Sequence, residues 1–81
     1  MKVRVAYKTV IVKEIEVGEQ YAECLRLADV PWGEFPAERI NEWYRDCDDL
    51  YDTVREELRN SDPDYDGVET ITTLNGGPLY N

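Results

Sequence analysis

Residues 36–60 read PAERINEWYRDCDDLYDTVREELRN, and this stretch decides the fold. Its large apolar side chains recur every three or four residues, as on one face of an α-helix. They are Ile40, Trp43, Cys47, Leu50, Val54 and Leu58. Tyr44 and Tyr51 widen this stripe and are expected in the core, and Pro36 suits a first helical turn. The pattern predicts a long helix from Pro36 to about Asn60 that covers a sheet.

The opposite face of the predicted helix is acidic. Six carboxylates lie away from the apolar stripe, and these are the side chains that we expect to bind a partner: Glu38, Glu42, Asp46, Asp49, Asp52 and Glu56. Like charges four residues apart, such as Asp52 and Glu56, each cost the helix roughly 0.2–0.5 kcal/mol. Two interpretations stay open. The face either keeps the protein soluble, or it imitates a phosphate backbone and complements a basic groove.

Residues 2–17 are predicted to form a β-hairpin. They are rich in β-branched side chains, and Val3 and Val5 alternate with polar residues. A single strand of this length would extend about 50 Å, which is too long for so small a domain. We therefore expect a turn near Lys8-Thr9, and a change in the parity of the apolar face further along indicates a β-bulge.

A short helix and a loop are predicted between the hairpin and the long helix. Four apolar residues have the helical spacing: Tyr21, Cys24, Leu25 and Ala28. Residues 30–36 contain two prolines and one glycine, which favour a rigid loop. Trp32 and Phe35 in this loop either plug one end of the core or offer a contact to a partner, and plugging is the first interpretation for so small a chain.

The C-terminal part completes the predicted sheet. Residues 68–74 are rich in Thr and predict a strand, and the following NGGP ends regular structure. Residues 79–81 remain as a tail or an edge contact. The order ββααβ predicts a single α+β domain over residues 1–81, with a small antiparallel sheet of about three strands covered on one face by a short and a long helix.

The charge of the chain narrows the classes of partner. It has 18 acidic and 9 basic side chains, and residues 34–69 supply the whole net charge of −9. Direct binding to nucleic acid or to an anionic membrane is disfavoured, whereas a protein with a basic surface is favoured. No apolar run is long enough to span a membrane and no signal peptide is evident, so we expect a cytoplasmic protein.

Few residues are suited to catalysis. The chain has no His and a single Ser, so the usual pairs of nucleophile and base cannot be built, and we expect no enzyme. Cys24 and Cys47 lack both CxxC spacing and accompanying His. Because both lie at apolar helical positions, buried thiols are expected rather than a disulfide.

The sequence DPDYDG after the long helix resembles the start of an EF-hand calcium loop. The resemblance implies that Asp62, Asp64 and Asp66 would be calcium ligands and that Gly67 would form the sharp turn. The pattern ends before position twelve, where Thr73 replaces the bidentate Glu. A plain acidic turn without a cofactor is the first interpretation, and a calcium-binding module is the alternative.

In size, acidity and lack of catalytic groups, the chain is similar to small phage-encoded inhibitors, including anti-CRISPR proteins and DNA mimics. This resemblance implies an inhibitor or adaptor whose acidic helix docks on a basic surface of a partner, such as a nucleic-acid-binding surface. A further alternative is a structural subunit of a homo-oligomer. Residues such as Val10 and Val12 would lie on the uncovered face of the sheet, where a second copy could bury them.

Overall fold

The computed structural model describes residues 1–8, 11–63 and 65–80. The strands are β1 (Lys2–Lys8), β2 (Ile11–Glu16), β3 (Thr70–Thr73) and β4 (Pro78–Tyr80). The helices are α1 (Ala22–Ala28) and α2 (Ile40–Ser61), and 3₁₀ turns lie at Glu19–Tyr21, Trp32–Glu34 and Ala37–Arg39. These elements form a small α+β fold, which confirms the predicted fold class.

The described strands form one antiparallel sheet in the order β2-β1-β3-β4. The sheet thus has one strand more than the three or so predicted, and the additional strand, β4, lies at the edge, where an edge contact was one of the two alternatives for the last residues. Strand β4 exists because the chain reverses tightly after β3, where the amide of Thr73 donates to the carbonyl of Gly77 over 2.9 Å. A segment of three residues carries too little alternation to be recognised as a strand from sequence alone.

The N-terminal hairpin has the predicted strands. The register shifts between Ala6 and Lys8, so β1 carries one extra residue, Tyr7. The β-bulge was expected further along, between Val12 and Ile15, but the pairing with β1 is continuous there, so its predicted position was wrong. The turn was predicted near Lys8-Thr9. Strand β1 ends at Lys8, and residues 9 and 10 lie outside the described part of the chain.

The core lies between one face of the sheet and the two helices. Val3 and Val5 of β1 are fully buried, as are Leu50 and Val54 of α2 and Ile71 of β3. The long helix was predicted correctly as an element, and five of its stripe residues are buried: Trp43, Cys47, Leu50, Val54 and Leu58. Its first turn, before Ile40, is a 3₁₀ turn and not α-helical.

The turn between β3 and β4 is tied to the end of α1. The hydroxyl of Thr73 donates to Asp29 Oδ1 over 2.5 Å and accepts the amide of Gly77 over 3.0 Å. Asn75 also donates to Asp29, over 3.3 Å. A Cβ added at Gly77 would lie 2.4 Å from the carbonyl oxygen of Ala28, so this approach of two backbones requires glycine.

No helix in the described residues is long and apolar enough to cross a membrane.

Candidate functional site

An acidic ridge runs along the exposed side of α2. We define it by Asp49, Asp52 and Glu56, whose spacing of three and four residues places them on one line, away from the buried Leu50 and Val54. All three are exposed. Within the described residues, only Asp52 makes an ion pair, with Arg55 over 3.5 Å. The ridge is therefore a solvated row of carboxylates with little local compensation.

The other three predicted binding residues lie in different surroundings. Glu42 is 3.7 Å from Arg39 and forms an ion pair with it. Glu38 is exposed in the 3₁₀ turn that precedes α2. Asp46 is only partly exposed and lies close enough to Cys24 and Cys47 to affect both thiols electrostatically. The structure thus groups three of the six predicted residues on the ridge.

The uncovered face of the sheet arranges its charges differently. Opposite charges face each other across β1 and β2 in two pairs, Lys2 with Glu16 and Arg4 with Glu14. Glu16 also binds the N-terminal amine, 2.6 Å away. Val12 is 58 % exposed on this face, and Val10 lies outside the described residues. The homo-oligomer hypothesis stays a prediction, and light scattering over a concentration series is its direct test.

An aromatic groove of about 370 Å³ lies between α2, the Trp32–Glu34 turn and β4. Its lining residues are Trp32, Trp43, Tyr44, Cys47, Asp48, Pro78, Leu79 and Tyr80. Three of its aromatic side chains are open to solvent: Trp32 is 69 % exposed, Tyr44 53 % and Tyr80 37 %. Large exposed aromatic side chains that share a concavity are typical of binding sites.

A row of ring contacts fixes the groove. Phe35 lies 5.4 Å from Trp32 and 5.2 Å from Trp43, and Tyr44 lies 5.4 Å from Trp43, all between ring centroids. The buried indole of Trp43 donates to the carbonyl of Cys24 over 3.0 Å, which holds the middle of the row in place. The exposed rings therefore project from a fixed aromatic base.

Two expectations about these aromatic residues were wrong. Tyr44 was expected in the core, and Trp32 was expected to plug its end rather than to offer a contact to a partner, but both are exposed. Helical spacing shows which edge of a helix Tyr44 occupies, not whether another element reaches that edge. Here the three-residue β4 leaves a groove at that position instead of a packed wall. Phe35 is partly buried against the core, as predicted.

Asp48 joins the groove to the acidic ridge. It is the one charged residue in the lining of the groove within the described chain. Asp52 and Glu56 follow it at intervals of four residues, so the three carboxylates lie along one line of the helix surface. The groove and the ridge are therefore one continuous surface, aromatic at one end and acidic at the other.

The two cysteines meet beneath the groove. Cys24 of α1 and Cys47 of α2 are buried free thiols, as predicted, and their Sγ atoms are 3.6 Å apart. The hydrogen bond with Cys24, together with burial, raises the pKa of Cys47, and the same bond lowers the pKa of Cys24. The pair joins the two helices without a covalent bond.

The acidic turn after α2 has a structural contact of its own. The hydroxyl of the buried Tyr7 donates to Asp62, which ties the turn to β1. Asp66 is exposed, Gly67 has a φ of 147° that favours glycine, and Asp64 lies outside the described residues. No cluster of three or more metal-ligating side chains is found in the described residues. Calcium binding by this turn stays a prediction, which calorimetric titration would test.

No protein-family model matches the chain, and no curated protein and no solved structure matches it. The similarity to small phage-encoded inhibitors therefore stays an expectation from size and charge, and function has to be inferred from the chain's own surface. The acidic ridge was predicted from sequence. The aromatic groove was not, because it depends on where β4 ends.

Proposed function

We propose that this protein is an acidic inhibitor or adaptor that docks the outer face of α2 on a basic surface of another protein. One observation carries the proposal: Asp49, Asp52 and Glu56 form an exposed row in which a single ion pair is made within the described residues. Such a row attracts a positively charged surface and accelerates encounter with it.

The cost of the ridge to the helix supports a role beyond solubility. Asp52 has an acidic neighbour four residues away on each side, Asp48 and Glu56. Each such pair opposes helix formation by roughly 0.2–0.5 kcal/mol. Solubility alone does not need this arrangement, since charges of mixed sign keep a surface soluble without it. A docked basic surface would relieve the repulsion.

A nucleic-acid-binding protein is the class of partner that fits the ridge best. Carboxylates at intervals of three and four residues follow each other about 5 Å apart along a helix axis. The phosphates of one DNA strand advance about 3.4 Å each along the helix axis. A groove built to neutralise a phosphate row would therefore meet a comparable line of negative charge, which is the principle of a DNA mimic.

Carbodiimide cross-linking in a lysate of the source cell, or of its host if the source is viral, tests the proposal. The reagent forms an amide bond between a carboxylate and a lysine amine that touch, so mass spectrometry of the joined peptides identifies the docking face. We expect cross-links at Asp49, Asp52 and Glu56, and we expect capture to weaken as the screening length falls from about 10 Å at 0.1 M salt to about 3 Å at 1 M.

Two variants of equal charge serve as matched controls. Asp49→Asn/Asp52→Asn/Glu56→Gln removes the ridge, and Glu14→Gln/Glu16→Gln/Glu69→Gln removes three exposed carboxylates elsewhere. Only the first should abolish capture. Cross-links spread over the sheet, or equal losses in both variants, would overturn the proposal. Release of the captured partner by added duplex DNA would support the DNA-mimic form, and failure of DNA to compete would exclude it.

A further inference from the structure

We infer that the aromatic groove binds an arginine side chain of a basic segment whose remaining positive charges lie along Asp48, Asp52 and Glu56. The inference deepens the proposed function and rests on it, because it assigns the same docking face a specific anchor. It follows from the composition of the groove, its charge and its continuity with the acidic ridge.

The composition of the groove favours a cation. Trp32, Tyr44 and Tyr80 present exposed rings at a concavity of about 370 Å³. The face of an aromatic ring carries partial negative charge and attracts cations, Trp most strongly. Trp43 lines the inner side of the groove, and the hydrogen bond from its indole to the backbone carbonyl of Cys24 holds it in place. The site is therefore formed before any ligand arrives.

Charge complementarity distinguishes a cation from an apolar side chain. Asp48 lines the groove, and no Lys or Arg is found among the described lining residues. An apolar occupant would bring this carboxylate into a poorly hydrated interface without a partner, at a cost in free energy. A cation would satisfy the carboxylate and the rings together.

A guanidinium group fits these surroundings better than an ammonium group. It is planar and weakly hydrated, it stacks on aromatic faces, and it can bond a carboxylate through two parallel N–H groups. An ammonium group is compact and strongly hydrated, so it gives up more water when it enters a site lined by rings. The groove should therefore prefer arginine to lysine, whereas the acidic ridge should accept both.

Titration with hexa-arginine and hexa-lysine tests this preference at equal length and charge. Both tryptophans of the chain, Trp32 and Trp43, line the groove, so intrinsic fluorescence reports directly on its occupancy. We expect the wild-type protein to bind hexa-arginine about threefold or more tighter than hexa-lysine, because a guanidinium group stacks on the rings and gives up less hydration than an ammonium group. Equal affinities for the two peptides would overturn the inference.

Variants separate the groove from the ridge. Trp32→Ala and Asp48→Asn should bring the ratio of the two affinities close to one, with Trp43 still reporting. Val12→Ala removes an exposed apolar side chain from the sheet and should keep the wild-type ratio. Circular dichroism checks that each variant is folded. A ratio that survives Trp32→Ala would show that the groove is not the arginine site.

The ridge variant Asp49→Asn/Asp52→Asn/Glu56→Gln distinguishes failure of this inference from failure of the proposed function. It should weaken both peptides equally and keep their ratio. Unchanged affinities in that variant would contradict the proposed function and the position of the remaining charges along Asp52 and Glu56, whereas the preference of the groove for arginine would stand. Light scattering tests whether a second copy of this chain occupies the groove instead. A dimer that dissociates in the Trp32→Ala variant would assign the groove to that second copy and overturn the inference.

Discussion

The outer face of α2 and the outer face of the sheet are both exposed, polar and rich in charge, but they are built in opposite ways. On the sheet, β1 and β2 place Lys2 opposite Glu16 and Arg4 opposite Glu14. On the helix, acidic residues follow each other on successive turns. Asp52 lies at the centre of this row, four residues from Asp48 on one side and from Glu56 on the other.

This difference in charge arrangement is what the proposed function rests on. A surface that only has to be soluble can place opposite charges across from each other, as the register of β1 and β2 does, and each such cross-strand neighbour adds roughly 0.2–1 kcal/mol to stability. The helix instead keeps a destabilising pattern. The helix therefore places a row of carboxylates with little local compensation next to the aromatic groove, where a partner can use both.

The largest expected effect concerns whether the helix layer is held in one position. Oxidation of Cys24 and Cys47 by hydrogen peroxide should join the two Sγ atoms, now 3.6 Å apart, with release of two water molecules per peroxide and thiol pair. The small approach to a bond of about 2.05 Å needs little backbone movement. We expect the free energy of unfolding in urea to rise by about 2–4 kcal/mol.

The control for this prediction is Cys24→Ala, which should show no gain after oxidation. Mass spectrometry must find the loss of two hydrogen atoms in a monomer. Cross-linked dimers, or a less stable oxidised protein, would mean that α1 and α2 do not hold the two thiols together. The acidic ridge would then not project from a helix that is fixed in one position.

The next effect concerns the junction of the two layers at Gly77. Gly77→Ala places a Cβ 2.4 Å from the carbonyl oxygen of Ala28, so the turn must move away from α1. We expect a loss of about 1–3 kcal/mol, typical of overpacking. Gly33→Ala is the matched control, because no atom lies within 4 Å of its added Cβ. Similar denaturation midpoints for the two variants would show that this junction is not tightly packed.

The sequence predicted those parts of the molecule that depend on local periodicity. The spacing of Trp43, Leu50 and Val54 predicts α2 and its buried face because a helix repeats every 3.6 residues whatever surrounds it. The same repeat places Asp49, Asp52 and Glu56 on the opposite side. The α+β class follows from the order of such elements.

The sequence could not predict the parts that depend on distant contacts. Strand β4 depends on the tight turn between Thr73 and Gly77. This turn is itself held by the hydrogen bond from the hydroxyl of Thr73 to Asp29 at the end of α1. The groove beside Tyr44 exists only because β4 is short. Nothing within a few residues of Trp32 or Tyr44 carries this information. The sequence therefore could not decide between a buried and an exposed Trp32, and the exposure of Tyr44 was missed.

A smaller effect should follow from making the sheet resemble the helix. Arg4→Glu places two carboxylates opposite each other, at residues 4 and 14, and should lower the free energy of unfolding by up to about 1 kcal/mol. The double variant Arg4→Glu/Glu14→Arg restores opposite charges and the original net charge, so it should recover most of the loss. Failure to recover would mean that Arg4 acts through something other than its cross-strand partner.

The smallest effect is the most direct test of the contrast, because it compares one lost carboxylate on each face. Asp52→Asn removes repulsion with Asp48 and Glu56, each pair worth roughly 0.2–0.5 kcal/mol, and gives up the exposed ion pair with Arg55. The net gain in stability should be a few tenths of a kcal/mol, and it should vanish in about 1 M salt, where exposed charges are screened.

The sheet variant Glu14→Gln should instead lower stability, because it removes the acidic cross-strand neighbour of Arg4. Both variants change the net charge by the same amount, so any general effect of reducing the charge of −9 cancels between them. Opposite signs in urea denaturation at low salt can therefore come only from the local arrangement of charge, and equal signs would mean that the two faces do not differ in the way their sequences imply.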